Sequence, residues 1–284
     1  MSDLLRLFSY QGNKFEPILH YGDKSIAVRN KDITLTVNTT QRYCIGWHDL
    51  ASGVDHLCPT NATTDAKHFT CYACREKTGF NPAFYHAKSV SSQQEQRNLE
   101  PHFLYLAHFG DGYIKVGISW AKRDIRRLLD QGARSTLILN SFPSANIARQ
   151  YESRVAARHD IHETTPPRIK LELLKRPFYP DKAVGELKKA RQQLSQELQI
   201  NFADNQVLFL DDYYFGDNKP DLTSIEQQFS TITGKCMGII GSHLITRYKD
   251  RFLIMYLRDY IGYPVEISNS IRLVDLPLRQ ASLF

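Results

Sequence analysis

The architecture this sequence predicts is an α+β chain in three consecutive parts, and three observations predict it. Short β-branched runs and a knot of four cysteines occupy residues 1–100. A strand–strand–helix–strand–helix order occupies residues 101–165, and a long amphipathic helix followed by a return to strands occupies residues 166–284. A length of 284 residues agrees with two or three domains of roughly 100–150 residues each.

In the first part, Ser25 to Arg29 and Asp32 to Val37 are separated by Asn30-Lys31, a pattern that predicts a hairpin. The cysteine segment that follows is rich in Thr, Asn, His and Asp and lacks periodicity. Lys88 to Glu100, which contains SVSSQQEQRN, has no apolar repeat and is expected to be a linker. In the second part, Phe103 to His108 and Tyr113 to Ile118 are apolar runs joined by Phe109-Gly110-Asp111-Gly112, and Asp-Gly between such runs is a strong hairpin signal. Ser119 is placed to cap a helix running to about Asp130, with Ile125, Leu128 and Leu129 inward and Gly132 at its end. Thr136 to Asn140 is a third strand, Ser144 caps a second helix through about His159, and Pro166-Pro167 closes the unit. In the third part, Pro180-Asp181 opens a helix with Val184, Leu187, Ala190, Leu194 and Leu198 on one face. Strands are then expected over 207–210, 235–240, 244–247, 252–257 and 263–267, with Lys249-Asp250 as a hairpin turn.

The cysteines are spaced Cys44, thirteen residues, Cys58, twelve residues, Cys71, two residues, Cys74, with Cys236 apart in an apolar strand as a small core residue. A CxxC pair lets one tight turn deliver two thiolates to a single ion about 2.3 Å away, and two more complete a tetrahedron. The N-terminal part is therefore expected to be a zinc-stapled β-rich domain whose Zn2+ is structural, because four thiolates leave no open position. His48, His56 or His68 could replace one cysteine, and His68, three residues before Cys71, is the best placed. Buried free thiols or a redox CxxC are the alternatives; a disulfide framework would leave an odd thiol. The N-terminus, MSDLLRLFSY, has no apolar signal region and no stretch approaches a membrane span of roughly 20 apolar residues, so a cytoplasmic protein without membrane contact is expected.

Net charge is +6, and its location matters more than its size. Residues 101–170 hold eleven Lys and Arg against six Asp and Glu, and eight of those eleven are Arg. Arginine's planar fork suits phosphate oxygens, so this segment is where a nucleic-acid footprint is expected, with a solvated basic face as the alternative. In the second helix, Glu152 lies four residues after Ala148 and three before Val155, which puts a carboxylate on or beside the apolar face. Buried carboxylates are rare unless paired or bound to metal.

The segments FLYLAHFGDGYIKVGIS, RRLLDQGA and ARQYESRVA resemble the GIY-YIG nuclease superfamily. The resemblance covers about residues 101–160 and implies a small GIY-YIG-like α/β core; the helix plus β-rich C-terminal domain read from residues 166–284 lies outside it. Position by position it implies that Tyr105 matches the tyrosine of the first motif, Gly117 the glycine of the second, Arg127 (with Arg126 next) the arginine, and Glu152 the ligand of a catalytic Mg2+ or Mn2+. The first motif here is FLY and the second KVG, so Lys115 stands where that superfamily usually has tyrosine, a departure shared with its phage-type branches. The whole chain also resembles a prokaryotic family that joins an N-terminal cysteine cluster to such a core. That family contains a QGA motif, here Gln131-Gly132-Ala133, and ends in a β-rich segment like GKCMGIIGSHLI.

What the superfamily resemblance implies is metal-dependent phosphodiester hydrolysis of DNA or RNA. Tyr105 would orient or deprotonate the water and Arg127 would clamp the phosphate, while Tyr113, Arg123, Arg126 and Arg134 are the candidates for contact with the nucleic acid. A free phenol titrates near 10 and is a poor base at neutral pH, so a nearby Lys115 or the metal would have to lower it; Tyr113 and His108 are the second and third candidates for that role. A non-catalytic, zinc-containing nucleic-acid-binding protein is the alternative, and a protein-interaction module a third.

Overall fold

The computed structural model describes residues 3–50, 52–65, 67–78, 90–158 and 160–274. It is a mixed α+β protein with several sheets and seven α-helices among the described residues. The chain opens with a meander, β1 (Leu5–Gln11), β2 (Glu16–Tyr21) and β3 (Lys24–Ala27), paired antiparallel in that order. The next strand, β4 (Asp32–Val37), does not pair with β3, so the hairpin expected at Asn30-Lys31 does not form. Asn30 is left-handed (φ 61°), its N–H donates to the carbonyl of Cys236, and the Cys236 N–H donates back to the carbonyl of Lys31. These bonds carry the chain off the meander and into a different sheet.

The cysteine segment carries a two-stranded ribbon, β5 (Trp47–His48) and β6 (Asp55–His56), and helix α1 (Tyr72–Thr78). Within the expected linker, residues 88–89 lie outside the described residues, and much of the rest forms α2 (Ser92–Asn98). Its N-cap is Ser91, which accepts from Gln94 N–H at 3.2 Å, and Gln94 and Asn98 are buried. A helix that buries amides instead of apolar side chains leaves no hydrophobic period to read.

Strands β7 (His102–His108) and β8 (Ile114–Trp120) form the expected hairpin. Ser119 does not cap a helix: it is buried in β8 opposite Phe103, because the ladder runs on to Trp120, whose Nε1 donates to Glu100. A single 3-10 turn follows, and α3 (Arg126–Gln131) begins only after Asp124, whose carboxylate accepts from Arg126 N–H at 3.1 Å. Next come β9 (Ser135–Phe142) and α4 (Ala145–Ala156), capped by Ser144. His159, the expected end of that helix, lies outside the described residues. Strand β10 (Ile161–His162) then runs parallel to β8, and Pro166-Pro167 opens α5 (Pro167–Leu174), with Pro167 in the first turn, where its missing N–H has no partner to lose.

Helix α6 (Pro180–Leu198) buries Ala183, Leu187, Ala190 and Leu194. After it come β11 (Leu208–Phe209), α7 (Asp211–Phe215), β12 (Glu226–Gln227), β13 (Thr231–Ile240), β14 (His243–Tyr248), β15 (Arg251–Tyr256) and β16 (Val265–Ser268).

Two larger sheets organise these parts. The central one has order β10-β8-β7-β9-β11, and the other has order β12-β15-β14-β13-β4-β16. Both draw strands from across the boundaries expected at residues 100 and 165: β11 joins the central sheet from beyond 165, and β4 lies between β13 and β16. The period-two alternation of β7 sorts the faces of the central sheet. Leu104 and Leu106 pack with Val116, Leu137, Val155, Leu187 and Leu194, an apolar layer closed by α4 and α6. Phe103, Tyr105, Ala107 and Phe109 belong to the other layer, with Leu128, Leu129, Leu173, Ile240 and Ile245. At roughly 1.5–3 kcal/mol for each large side chain fully buried, the first layer alone strongly favours the hairpin.

The QGA segment and the GIIG segment meet in space. A Cβ on Gly132 would lie 3.2 Å from Gly241 Cα, and one on Gly241 would lie 2.9 Å from Gly132 Cα. Both residues are left-handed (φ 75° and 58°), so each glycine is required by its own turn and by its neighbour's backbone. This contact clasps the end of α3 to the turn between β13 and β14. The Tyr214 hydroxyl supports it, lying 3.0 Å from the Ala133 carbonyl.

Candidate functional site

The residues singled out by the sequence fall into two centres. The first is the cysteine knot. Cys44 follows an isolated bridge between Tyr43 and Thr63, Cys58 follows β6, and Cys71 and Cys74 flank the start of α1. Their four sulfurs lie within 4.8 Å of one another, near the spacing of about 3.8 Å that ligands 2.3 Å from a tetrahedral ion would take. Cys44 Sγ accepts from the N–H groups of Cys71 at 3.1 Å and Gly46 at 3.4 Å. Burial pushes the Cys58 thiol up, but hydrogen bonds from Thr60 and Ala62 work against it and bring it down to about 6. Burial and the neighbouring sulfurs push Cys74 far up, a conflict that a bound dication would remove. The four cysteines can therefore hold a metal ion such as zinc. The histidines stay out of the group: His48 bonds Asp55 at 2.9 Å, His68 bonds Asp65 at 2.9 Å, and His56 stacks on Trp47.

The second centre lies on the central sheet, where Tyr105 of β7 is in register with Gly117 of β8. A Cβ on Gly117 would lie 2.5 Å from the Tyr105 hydroxyl oxygen, so the ring rests on bare backbone and the glycine makes room for it. Tyr105 is fully buried, and its hydroxyl makes no hydrogen bond of normal geometry. Burial raises its pKa, and the Arg127 guanidinium is the charge that most opposes the rise. Lys115, two residues before Gly117, is 8% exposed, and its Nζ reaches only the Val116 carbonyl, at 3.2 Å. Burial, aided by Arg127, lowers Lys115 to about 8, against the pull of Glu152 and Glu163. Glu152 is buried on α4 and raised by that burial, while Arg149, at 2.5 Å, and then Lys115 favour its charged form.

A fifth group joins them from α5. Lys170 donates to the Gln131 carbonyl at 2.6 Å at the end of α3, and burial, with Lys115, Arg127 and Arg258, lowers it to about 8. Both nearby carboxylates lean on one cation, since Arg149 pairs with Glu152 and, at 3.6 Å, with Glu163. Lys115, Arg127 and Lys170 are left with no ion-pair partner among the described residues. Sequence reasoning missed Lys170. Glu152 and Arg149 are three apart on one helix, a visible signal, but nothing local distinguishes Lys170 from a solvated lysine.

The remaining expected residues lie apart from this cluster or are otherwise engaged. Arg123 pairs with Asp130 at 2.5 Å, and Arg126 pairs with Asp124 at 3.0 Å on the surface. Arg134 is not presented to solvent: it is 9% exposed, forked onto Asp211 of α7 and stacked over Phe178 at 4.2 Å. Tyr113 stacks on His162 of β10 with ring centroids 4.1 Å apart and planes 9° from parallel. His108 is buried at the turn end of β7, with Nε2 2.7 Å from Glu186 and its pKa lowered by burial. Among the described residues no helix is long and apolar enough to cross a membrane.

No curated protein and no solved structure matches this chain. A family model does match it, over residues 31–265, a span that takes in the cysteine knot, the cation cluster and the glycine clasp. The chain therefore belongs to the family described as "Protein of unknown function (DUF2797)".

Proposed function

We propose that this protein binds nucleic acid and hydrolyses a phosphodiester bond in it, using a GIY-YIG-like core, with a structural Zn2+ in the cysteine knot. The observation that carries the reading is the trio Lys115, Arg127 and Lys170, cations that converge without carboxylate partners beside Tyr105 and Glu152. Cations held together in a low-dielectric place favour a counter-ion of high negative charge density, and a phosphate satisfies several at once. Arg127 would hold the phosphate oxygens as charge develops on them, with Lys170 as a second clamp. Lys115, near 8, has a neutral fraction at mildly alkaline pH and is a better base for water than a phenol raised by burial. Tyr105 would then act as a proton-bearing donor to water or phosphate. One Mg2+ or Mn2+ at Glu152 would supply positive charge for the leaving oxygen; a lone carboxylate suits an ion that keeps most of its waters. For the knot, four thiolates in tetrahedral array favour zinc over harder ions.

The test is a cleavage assay on single- and double-stranded DNA and RNA with Mg2+ or Mn2+. Wild type should cut at least one substrate, and Glu152→Ala and Lys115→Met should each lower the rate by 100-fold or more, on the order of the loss expected for a general base. Equal cleavage by all three proteins would sink the catalytic reading.

One observation favours a non-catalytic nucleic-acid binder instead. Arg149 already occupies Glu152, so a metal would have to displace a short charged hydrogen bond. On that reading no substrate is cut, yet oligonucleotides bind with an affinity that falls steeply with salt, and Lys170→Ala weakens binding.

A further inference from the structure

The stacked pair Tyr113–His162 stands beside the cation cluster but plays no part in the chemistry above. The pairing that builds it is specific: β10 aligns His162 with Lys115 in a parallel ladder, and Tyr113 lies two residues before Lys115. The backbones that carry the two rings therefore flank Lys115, His162 as its partner on the next strand and Tyr113 two residues before it, about 7 Å along an extended chain. Both rings line an open cavity of about 560 Å³, together with Arg168, Ile169, Glu172, Leu173 and Arg176. That volume is ample for a purine ring. Phe109 braces Tyr113 edge-on at 6.2 Å, and the Tyr113 hydroxyl donates to the Thr164 carbonyl at 3.3 Å, so the plate is held from behind. Arg176 is tied to Asp111, whereas Arg168 is exposed and has no ion-pair partner among the described residues.

From this arrangement we infer that the Tyr113–His162 plate and its cavity bind one unpaired nucleobase, whose phosphate reaches the Lys115–Arg127–Lys170 cluster. The inference rests on the nucleic-acid reading above and narrows it to single-stranded, frayed or looped substrate. A base inside a duplex is already stacked on its neighbours and has no free face to lay on the plate. An unpaired base can stack on aromatic rings and on an arginine plane. Rings and an apolar floor (Ile169, Leu173) recognise the base face, and Arg168 is placed for its edge or its phosphate. The register of His162 with Lys115 puts plate and cluster on neighbouring positions of one sheet, which is what a single nucleotide needs to engage both.

The experiment measures binding by fluorescence anisotropy, with no added divalent cation. The probes are a labelled 12-nucleotide single strand, the same strand with three central abasic sites, and its blunt duplex. Wild type should bind the intact strand about ten-fold more tightly than the abasic strand or the duplex. In His162→Ala and Tyr113→Ala that preference should vanish while the abasic strand binds as before, and Tyr113→Phe, which keeps the ring, should behave as wild type. Equal affinity of wild type for intact and abasic strands overturns the plate and leaves the phosphate reading standing. A base preference that survives both alanine variants places the base elsewhere and also overturns the plate. No binding of any probe overturns the nucleic-acid reading, and this inference with it.

Discussion

The cysteine knot and the cation cluster solve opposite electrostatic problems. The knot gathers four identical donors within one short stretch of chain, and amide N–H groups already point at one of its sulfurs. The cluster gathers unlike groups from β7, β8, α3, α4 and α5, and leaves like charges facing one another. A set of anionic sulfurs is completed by a cation and then contributes to folding outright. A set of cations held by the surrounding fold draws its stability from elsewhere and costs some of it, as strained or unpaired groups at sites generally do. The difference teaches that the knot should fail by unfolding, and the cluster by losing affinity while becoming more stable.

The largest expected effect tests the knot. Cys74→Ser should abolish stoichiometric metal, read by elemental analysis, and lower Tm by roughly 10 °C through loss of the metal's folding free energy. An unchanged Tm would mean that the knot does not staple its domain. Next comes Arg134, a buried cation that does have its counter-ion and so calibrates the cluster's unpaired ones. Arg134→Ala should cost about 3–5 kcal/mol in urea unfolding because Asp211 is left alone, while Arg134→Met with Asp211→Leu should cost much less. A Gly117→Ala change should cost about 1–3 kcal/mol, since its Cβ would press on the Tyr105 ring, and Tyr105→Ala in the same chain should relieve part of that cost.

The smallest effect has the opposite sign. Lys115 sits near 8 in the folded chain against an ordinary 10.5, so between those values the unfolded chain carries more protons than the folded one. Stability should therefore rise with pH from about 8 to about 10.5, and its full benefit should be missing below about 8. Lys115→Met should flatten that rise and should gain about 1 kcal/mol over wild type at pH 7. Lys170, shifted the same way, should supply the slope that remains. A slope unaltered by Lys115→Met would show that this lysine is not held in a buried, like-charged place.

The sequence made the knot legible because ligand spacing is local information. The β7–β8 hairpin was legible for the same reason: Asp111-Gly112 and the alternation around it lie within a few residues. The join at Asn30-Lys31 looked like a hairpin turn and is a crossing between sheets, because a turn signal says how the chain bends and not which strand receives it. Ser119 looked like a cap, yet the ladder to His102 and the Trp120–Glu100 bond keep it in a strand. Tyr105, Gly117, Arg127 and Glu152 could be named through a resemblance to known motifs. Lys170 could not, since its approach depends on how α5 packs against the end of α3. Arg134 shows the converse, an arginine whose type suits phosphate but whose neighbour Asp211, 77 residues on, engages it.

The position of β4 has a consequence in time. It lies between β13 and β16, and Thr34 meets Thr233 across a separation of 199 residues. During synthesis at about 5–20 residues per second, β4 must wait roughly 10–40 s for its partner, with both edges unpaired. Through that interval it is a ready template for pairing with other nascent chains. Closure of this sheet is then a late, high-contact-order event, so refolding should be slow and should yield less as protein concentration rises.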